Sequence, residues 1–216
     1  MSYYPILKAP YCTGKTTLYN FPPNNWEGAR NDKKVINLSY IDDGLWHSIE
    51  LGELAHGDCQ IINYQDVKNL VPDNALPLLS LTRNKLEKTS EELPQLADSE
   101  TNVPQYRSTL GLVSKHTMTS YQGEINPFPK QASLLTFSPF LQFGSGVENY
   151  VLIMNLEKLP ESRKAVVEIY DAHSKELKKI KSAYSNQINI ISLNDMGFNE
   201  QNLPVIICRE MAFIPL

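Results

Sequence analysis

One stretch of this chain is written twice, and the repetition limits the folds open to it. Residues 171–208 read Asp171-Ala-His173, an alternating run Leu177-Lys-Lys-Ile180, a Ser185-Asn186 turn, Ile190-Ile191, Asn194-Asp-Met196 and Asn202-Leu-Pro-Val-Ile-Ile207. Earlier, Asp42-Asp-Gly44 is followed by Ile49-Glu-Leu51, His56-Gly-Asp58, Ile61-Ile62, Gln65-Asp-Val67 and Asn74-Ala-Leu-Pro-Leu-Leu79. The spacing from Asp42 to Ile61 equals that from Asp171 to Ile190. A self-match of this kind speaks to architecture and is silent on chemistry.

Each copy is built from short strand patterns. Residues 35–41, 45–51, 59–64 and 76–82 are rich in β-branched and aromatic residues or alternate apolar with polar, and Asp43-Gly44, Gly52, Gly57 and Asp58 punctuate them. Residues 65–70 have room for one helical turn. In the second half, 106–113, 114–125, 132–143, 150–156 and 165–170 read as strands, interrupted by the Asn126-Pro-Phe-Pro129 bend and by Pro139. Many short strands with turn residues between them and little helical periodicity predict an all-β fold: two tandem or pseudo-symmetric immunoglobulin- or fibronectin-like β-sandwiches with few short helices. The charged stretch 84–105, with Pro94 and Pro104, reads as a linker between an N-terminal half (1–83) and a C-terminal sandwich (106–216). The two halves are expected to pack together. The apolar tail Phe213-Ile-Pro-Leu216 reads as a core strand or as a chain cut short of its natural end.

Composition removes several classes of function. A net charge of -4 over 216 residues gives no electrostatic reason to bind nucleic acid or an anionic membrane, and no apolar run is long enough to span a bilayer. The first residues lack a basic leader and apolar stretch, and three widely spaced cysteines fit reduced thiols, so a cytoplasmic protein is expected. Cys208, which follows Val-Ile-Ile, reads as a buried apolar side chain.

The sharpest motif-like string is Ala9-Pro-Tyr-Cys-Thr-Gly14-Lys15-Thr16, a relaxed phosphate-loop pattern. That motif needs a helix after the lysine, and Pro22 and Pro23 stop one from forming, so nucleotide binding is not expected. His47, His56, His116 and His173 lack metal-ligand spacing with each other or with the cysteines, and neither metal nor cofactor is expected. Gly144-Ser-Gly146 is too short for a nucleophile elbow, and Cys12 has no evident histidine partner.

Residues 107–124 stand apart. Strand alternation would put Lys115, Thr117, Thr119 and Tyr121 on one face and His116, Met118, Ser120 and Gln122 on the other, and neither face is apolar. Arg107, His116, Tyr121, Gln122 and Glu124 are the candidate ligand-binding residues, because an aromatic ring among a few donors and acceptors is what a sugar or polar metabolite needs. The competing reading is an exposed edge strand kept polar against aggregation.

The second half also resembles a family. Val151-Leu-Ile-Met-Asn155, Val167-Glu-Ile-Tyr-Asp171, Ile190-Ile-Ser-Leu-Asn-Asp195 and Leu203-Pro-Val-Ile-Ile-Cys-Arg209 follow one another as do strands of the immunoglobulin-like sandwich of the sensory rhodopsin transducer family. The likeness covers roughly the last 70 residues as a pattern of strands and turns. It implies a self-associating β-sandwich that binds small ligands and has no catalytic residues to carry across. The sequence therefore points to a non-enzymatic protein that binds a small polar ligand, a carbohydrate among the options, or a protein partner, and that forms a homo-oligomer. Two alternatives remain: an enzyme of carbohydrate metabolism using Glu124 as acid/base, with no second carboxylate evident to pair with it, and a structural scaffolding module.

Overall fold

The structure is a computed structural model that describes residues 2–20, 33–96, 107–128 and 134–216, with only the backbone of Arg107. It is all-β: antiparallel sheets carry nearly all the regular structure, and helix is confined to short turns. The chain forms two compact units, 1–126 with 158–160, and 127–157 with 161–216. Among the described residues no helix is long and apolar enough to cross a membrane.

The first unit contains β1 (Tyr4–Pro5), β2 (Lys8–Ala9), β3 (Cys12–Tyr19), β4 (Lys34–Asp42), β5 (Leu45–Leu54), β6 (Cys59–Asn63), the single-turn helix α1 (Tyr64–Val67), β7 (Leu78–Thr82), β8 (Thr89–Ser90), β9 (Arg107–Val113) and β10 (Met118–Gln122). One sheet runs β1-β7-β4-β5-β8; the other runs β10-β9-β3-β2, with β6 also paired to β3. Both sheets feed one buried cluster that includes Leu18, Ile36, Leu38, Ile62, Leu79 and Leu81. Burying a side chain of this size contributes about 1.5–3 kcal/mol. The chain between β1 and β2 leaves the first sheet and enters the second, passing tightly against β3. The Thr16 hydroxyl donates to the Pro5 carbonyl at 2.8 Å. At Gly14 a Cβ would lie 1.7 Å from the Leu7 carbonyl oxygen, so only glycine permits this crossing. Gly14, Lys15 and Thr16 are thus mid-strand residues, and no phosphate loop exists here.

The second unit contains β11 (Leu135–Phe137), β12 (Tyr150–Met154), β13 (Lys164–Asp171), β14 (Glu176–Tyr184), β15 (Ile188–Ser192), a 3-10 turn (Asn194–Met196), β16 (Pro204–Cys208) and β17 (Ile214–Pro215). Its sheets run β11-β16-β13-β14 and β15-β12-β17. Val151, Ile153, Val167, Ile169, Ile191, Ile206, Cys208 and Phe213 form a core drawn from both. Cys208 is fully buried and unpaired, as its sequence neighbours imply.

The written repetition reappears as strand pairing. The order β1-β7-β4-β5 matches β11-β16-β13-β14, and β6-β3-β9 matches β15-β12-β17, with every pairing antiparallel. Leu38 faces Leu79 and Val167 faces Cys208, and each pair stands at the same distance in sequence from Asp42 or Asp171. A buried asparagine follows the equivalent strands β3 and β12. The Asn20 carbonyl accepts from Gly57 N–H at 2.9 Å and the Asn155 carbonyl from Asn186 N–H at 2.8 Å. Gly57 and Asn186 both have positive φ, at the same place in the turn before β6 or β15.

The division between the units differs from the sequence reading. Strands β9 and β10, assigned above to a second half beginning at 106, hydrogen-bond to β3 through β9 and so belong to the first unit. Residues 84–96 are not a free tether either. The Leu86 N–H donates to Asn37 Oδ1 at 3.4 Å, Thr89 and Ser90 pair with β5, and the Tyr3 hydroxyl donates to the Pro94 carbonyl. Residues 97–105 of the expected linker lie outside the described residues. Lys158–Pro160 also counts with the first unit: the Lys158 carbonyl accepts from the Trp46 indole at 2.8 Å and from Leu93 N–H at 2.7 Å.

Candidate functional site

The turn Asp43-Gly44 decides the register that builds one concavity of the first unit. Both residues have positive φ, 47° and 73°, the requirement of a two-residue type I′ hairpin. Counting back from that turn, Asp42 faces Leu45, Tyr40 faces His47, Ser39 faces Ser48 and, after a register shift, Asn37 faces Glu50. The Tyr40 and His47 rings stack with centroids 5.6 Å apart, and the Ser39 and Ser48 hydroxyls are 3.0 Å apart.

A cavity of about 490 Å³ opens along the β5 edge where residues 85–89 cross it. Tyr40, His47, Glu50, Lys85, Lys88 and Thr89 supply its chemistry. The Lys85 ammonium lies 2.6 Å from Glu50 Oε2, and that hydrogen bond, reinforced by the charge, holds Lys85 protonated to higher pH than a free lysine. Burial, with the Asp42 carboxylate a lesser cause, raises the Tyr40 phenol, which therefore stays a hydrogen-bond donor at neutral pH. Beneath the rim, Asn37 donates to Thr82 Oγ1 at 2.8 Å, and Ser48 N–H donates to the Lys88 carbonyl at 2.9 Å, which fixes the wall. The site thus offers a flat aromatic pair, one carboxylate and two ammonium groups.

A second concavity, about 360 Å³ and wide open, lies on the second unit between Tyr170, Asp171, Lys175, Val205 and Arg209. Asp171 is the chemically notable group. It accepts from Leu203 N–H at 3.0 Å, Ser174 Oγ at 2.8 Å, Asn202 Nδ2 at 2.9 Å and His173 N–H at 3.2 Å. The Leu203 amide first, and the others with it, holds its carboxyl well below the usual carboxylate range. A carboxylate so committed does not exchange protons near neutral pH; it ties the β13–β14 loop to the start of β16.

The residues singled out by sequence occupy one edge of the first unit. The backbone of Arg107 opens β9, and its side chain lies outside the described residues. His116 sits in the exposed β9–β10 turn, where its N–H donates to Ser114 Oγ at 3.4 Å. Tyr121 and Gln122 end β10, and Glu124 beyond it accepts from the Ser2 hydroxyl at 2.9 Å. Neither cavity described above includes any of the five. The residues that do gather, Tyr40 with His47, were within reach of sequence reasoning, since a two-residue turn at 43–44 fixes their pairing. The contribution of Lys85 and Lys88 was hidden in the presumed linker.

Among the described residues, no group of three or more His, Cys, Asp or Glu side chains gathers as a metal site requires. No family model, no curated protein and no solved structure matches this chain, so the strand-pattern likeness read from the sequence carries no function across.

Proposed function

We propose that the chain is a non-enzymatic binding protein whose first unit takes a small, hydroxyl-rich ligand of the saccharide class, carrying an acidic group, in the groove along the β5 edge. The observation that carries this reading is the stacked Tyr40–His47 pair beside the Glu50–Lys85 ion pair and Lys88, in a cavity of about 490 Å³. That volume falls within the range of small-molecule sites. An aromatic face suits the apolar side of a sugar ring, Glu50 accepts from hydroxyls, and the two lysines favour a ligand carboxylate. The core clusters shared between sheets support reading each unit as a β-sandwich that holds this groove rigid.

Calorimetric titration with uronic-acid disaccharides and their neutral counterparts tests it. The acidic sugars should bind better, and His47→Ala and Glu50→Gln should each weaken binding by about tenfold, or roughly 1.4 kcal/mol. Absence of binding to either class, or affinities unmoved by both substitutions, would refute the assignment.

A further inference from the structure

A sheet face that the first unit keeps covered stands open in the second. Strand pairing puts Asn37, Ser39, Trp46 and Leu78 on one face of β7-β4-β5, and all four are buried. Residues 84–90 lie over that face and along its edge: Leu86 N–H donates to Asn37 Oδ1, the Lys88 carbonyl accepts from Ser48 N–H, and Thr89 and Ser90 pair with His47 and Trp46. Counting back from Asp171 as from Asp42, Val166, Glu168 and Tyr170 take the places of Asn37, Ser39 and Ile41. Register then sets Ile207 beside Glu168 on one side, and Ile180 and Leu177 opposite Glu168 and Tyr170 on the other. Here Val166, Leu177 and Ile180 are exposed, Ile180 at 56%, and the groove of about 360 Å³ runs over Tyr170, Val205 and Ile207 with Lys175 and Arg209 in its lining. Clustered exposed apolar side chains of this kind mark an interaction surface.

We propose that this face docks an extended, acidic, leucine-bearing segment of a partner protein, which pairs with the β14 edge as β8 pairs with β5 and lays apolar side chains in the groove. The first unit shows that this strand order accepts such a cover, because its sheet continues past β5 into β8 and the covering segment carries Leu86 and Leu93. Adding an extended segment to a sheet edge is a general mode of peptide recognition, with backbone bonds supplying affinity and side-chain pockets supplying specificity. Charge selects the occupant. Residues 164–184 and 204–210, which carry the face, hold six lysine and arginine side chains against four carboxylates, although the whole chain stands at -4. Two copies meeting here would set like charge against like, whereas an acidic segment is complementary. Lys179 and Lys181 on β14 repel unrelated strand edges and form opposite-charge pairs with an acidic one.

Fluorescence anisotropy of labelled ten-residue peptides, titrated with the full chain, tests this. One peptide repeats residues 84–93 with glutamate at 85, 87, 88, 91 and 92; the other has lysine at those positions and keeps both leucines. The glutamate peptide should bind at least about tenfold more tightly. Ile180→Asp and Lys175→Glu should each weaken it about tenfold, while Met118→Asp, at an exposed position of the first unit, leaves it unchanged. Melting followed by far-UV circular dichroism checks that each variant remains folded. No binding of the glutamate peptide, equal binding of the two, or an affinity unmoved by both substitutions on this face overturns the proposal. So does binding to phosphatidylserine vesicles, or dimerisation in sedimentation, that depends on Ile180 and that the glutamate peptide fails to displace.

Discussion

Replacing Gly14 by alanine puts a methyl group where the β1–β2 crossing passes β3. The added Cβ would stand 1.7 Å from the Leu7 carbonyl oxygen and 2.6 Å from its carbon, both backbone atoms. Relief requires a backbone shift of well over an ångström, which drags at the Lys8–Thr13 and Ala9–Cys12 pairs immediately beyond. Overpacking of this kind costs about 1–3 kcal/mol, and each net hydrogen bond lost adds about 1 kcal/mol. The alanine also narrows the unfolded ensemble, which returns about 0.4–1 kcal/mol. The balance is a destabilisation of about 2–4 kcal/mol, a fall in Tm of roughly 8–15 °C for a unit of this size. Trp46 is buried in the first unit, so its fluorescence follows that unit's melting while far-UV circular dichroism follows both units. Gly111→Ala is the milder comparison: its Cβ would meet Lys15 Cγ at 3.0 Å and the Thr119 carbonyl oxygen at 3.2 Å, which a shift of a few tenths of an ångström relieves, and it should lower Tm by far less than Gly14→Ala. If Gly14→Ala melted within about 2 °C of the wild type, the crossing would not be the reason for glycine at this position.

Three further outcomes follow from the second unit. Because the Asp171 pKa is depressed in the folded state, its stabilisation is fully present above the unfolded value near 4 and is lost as pH falls below it; Asp171→Asn should lower stability at pH 7 and flatten the acid limb of a stability–pH curve, and superimposable curves would contradict this. Asn155 is buried and donates to the Ala212 carbonyl at 2.7 Å, so Asn155→Ala should destabilise by about 1–3 kcal/mol in urea titrations read by circular dichroism. Replacing Lys179 and Lys181 together by valine should turn the β14 edge sticky, with concentration-dependent aggregation in light scattering that the wild type lacks.

The strands that sequence reveals are those with enough apolar residues to leave a pattern: β4, β5, β7, β12 and β13 all do, even though Asn37, Ser39, Ser48 and Ser80 are buried among them. β3 alternates in burial just as strictly, but its inward residues are Gly14, Thr16 and Leu18, so two of three leave no hydrophobic trace and the string passes for a loop motif. Pairing partners are less legible still. Nothing in residues 107–113 names β3 as their neighbour, since side-chain alternation encodes faces and leaves the neighbouring strand open. Charge misled at 84–96, where Leu86 and Leu93 anchor a segment whose remaining side chains are mostly polar. The candidate site was half legible. The hairpin turn fixes Tyr40 against His47, whereas Lys85 reaches Glu50 through a chain path that no local pattern records.

A fold present twice in one chain supplies its own control. Whatever the second unit lacks is not required to close this strand order, because β11-β16-β13-β14 and β15-β12-β17 close without it. Among the described residues, four features of the first unit have no counterpart there: strand β2, the crossing segment 84–89, strand β8 and strand β10. The crossing segment and β8 form the wall of the β5 groove, and β10 is a fully exposed edge. The same sheet face is also treated in opposite ways. In the first unit Ser39 and Ser80 are fully buried and Asn37 spends its amide on Thr82 and Leu86, whereas in the second Val166 and Ile180 lie exposed beside the Arg209–Glu168 ion pair. The covering segment is tied to this face by the Leu86 N–H bond to Asn37 Oδ1 and by the Lys88 carbonyl, which accepts from Ser48 N–H. The covering segment is therefore held by the fold while remaining unnecessary to its topology, which fits the binding role proposed for Lys85 and Lys88.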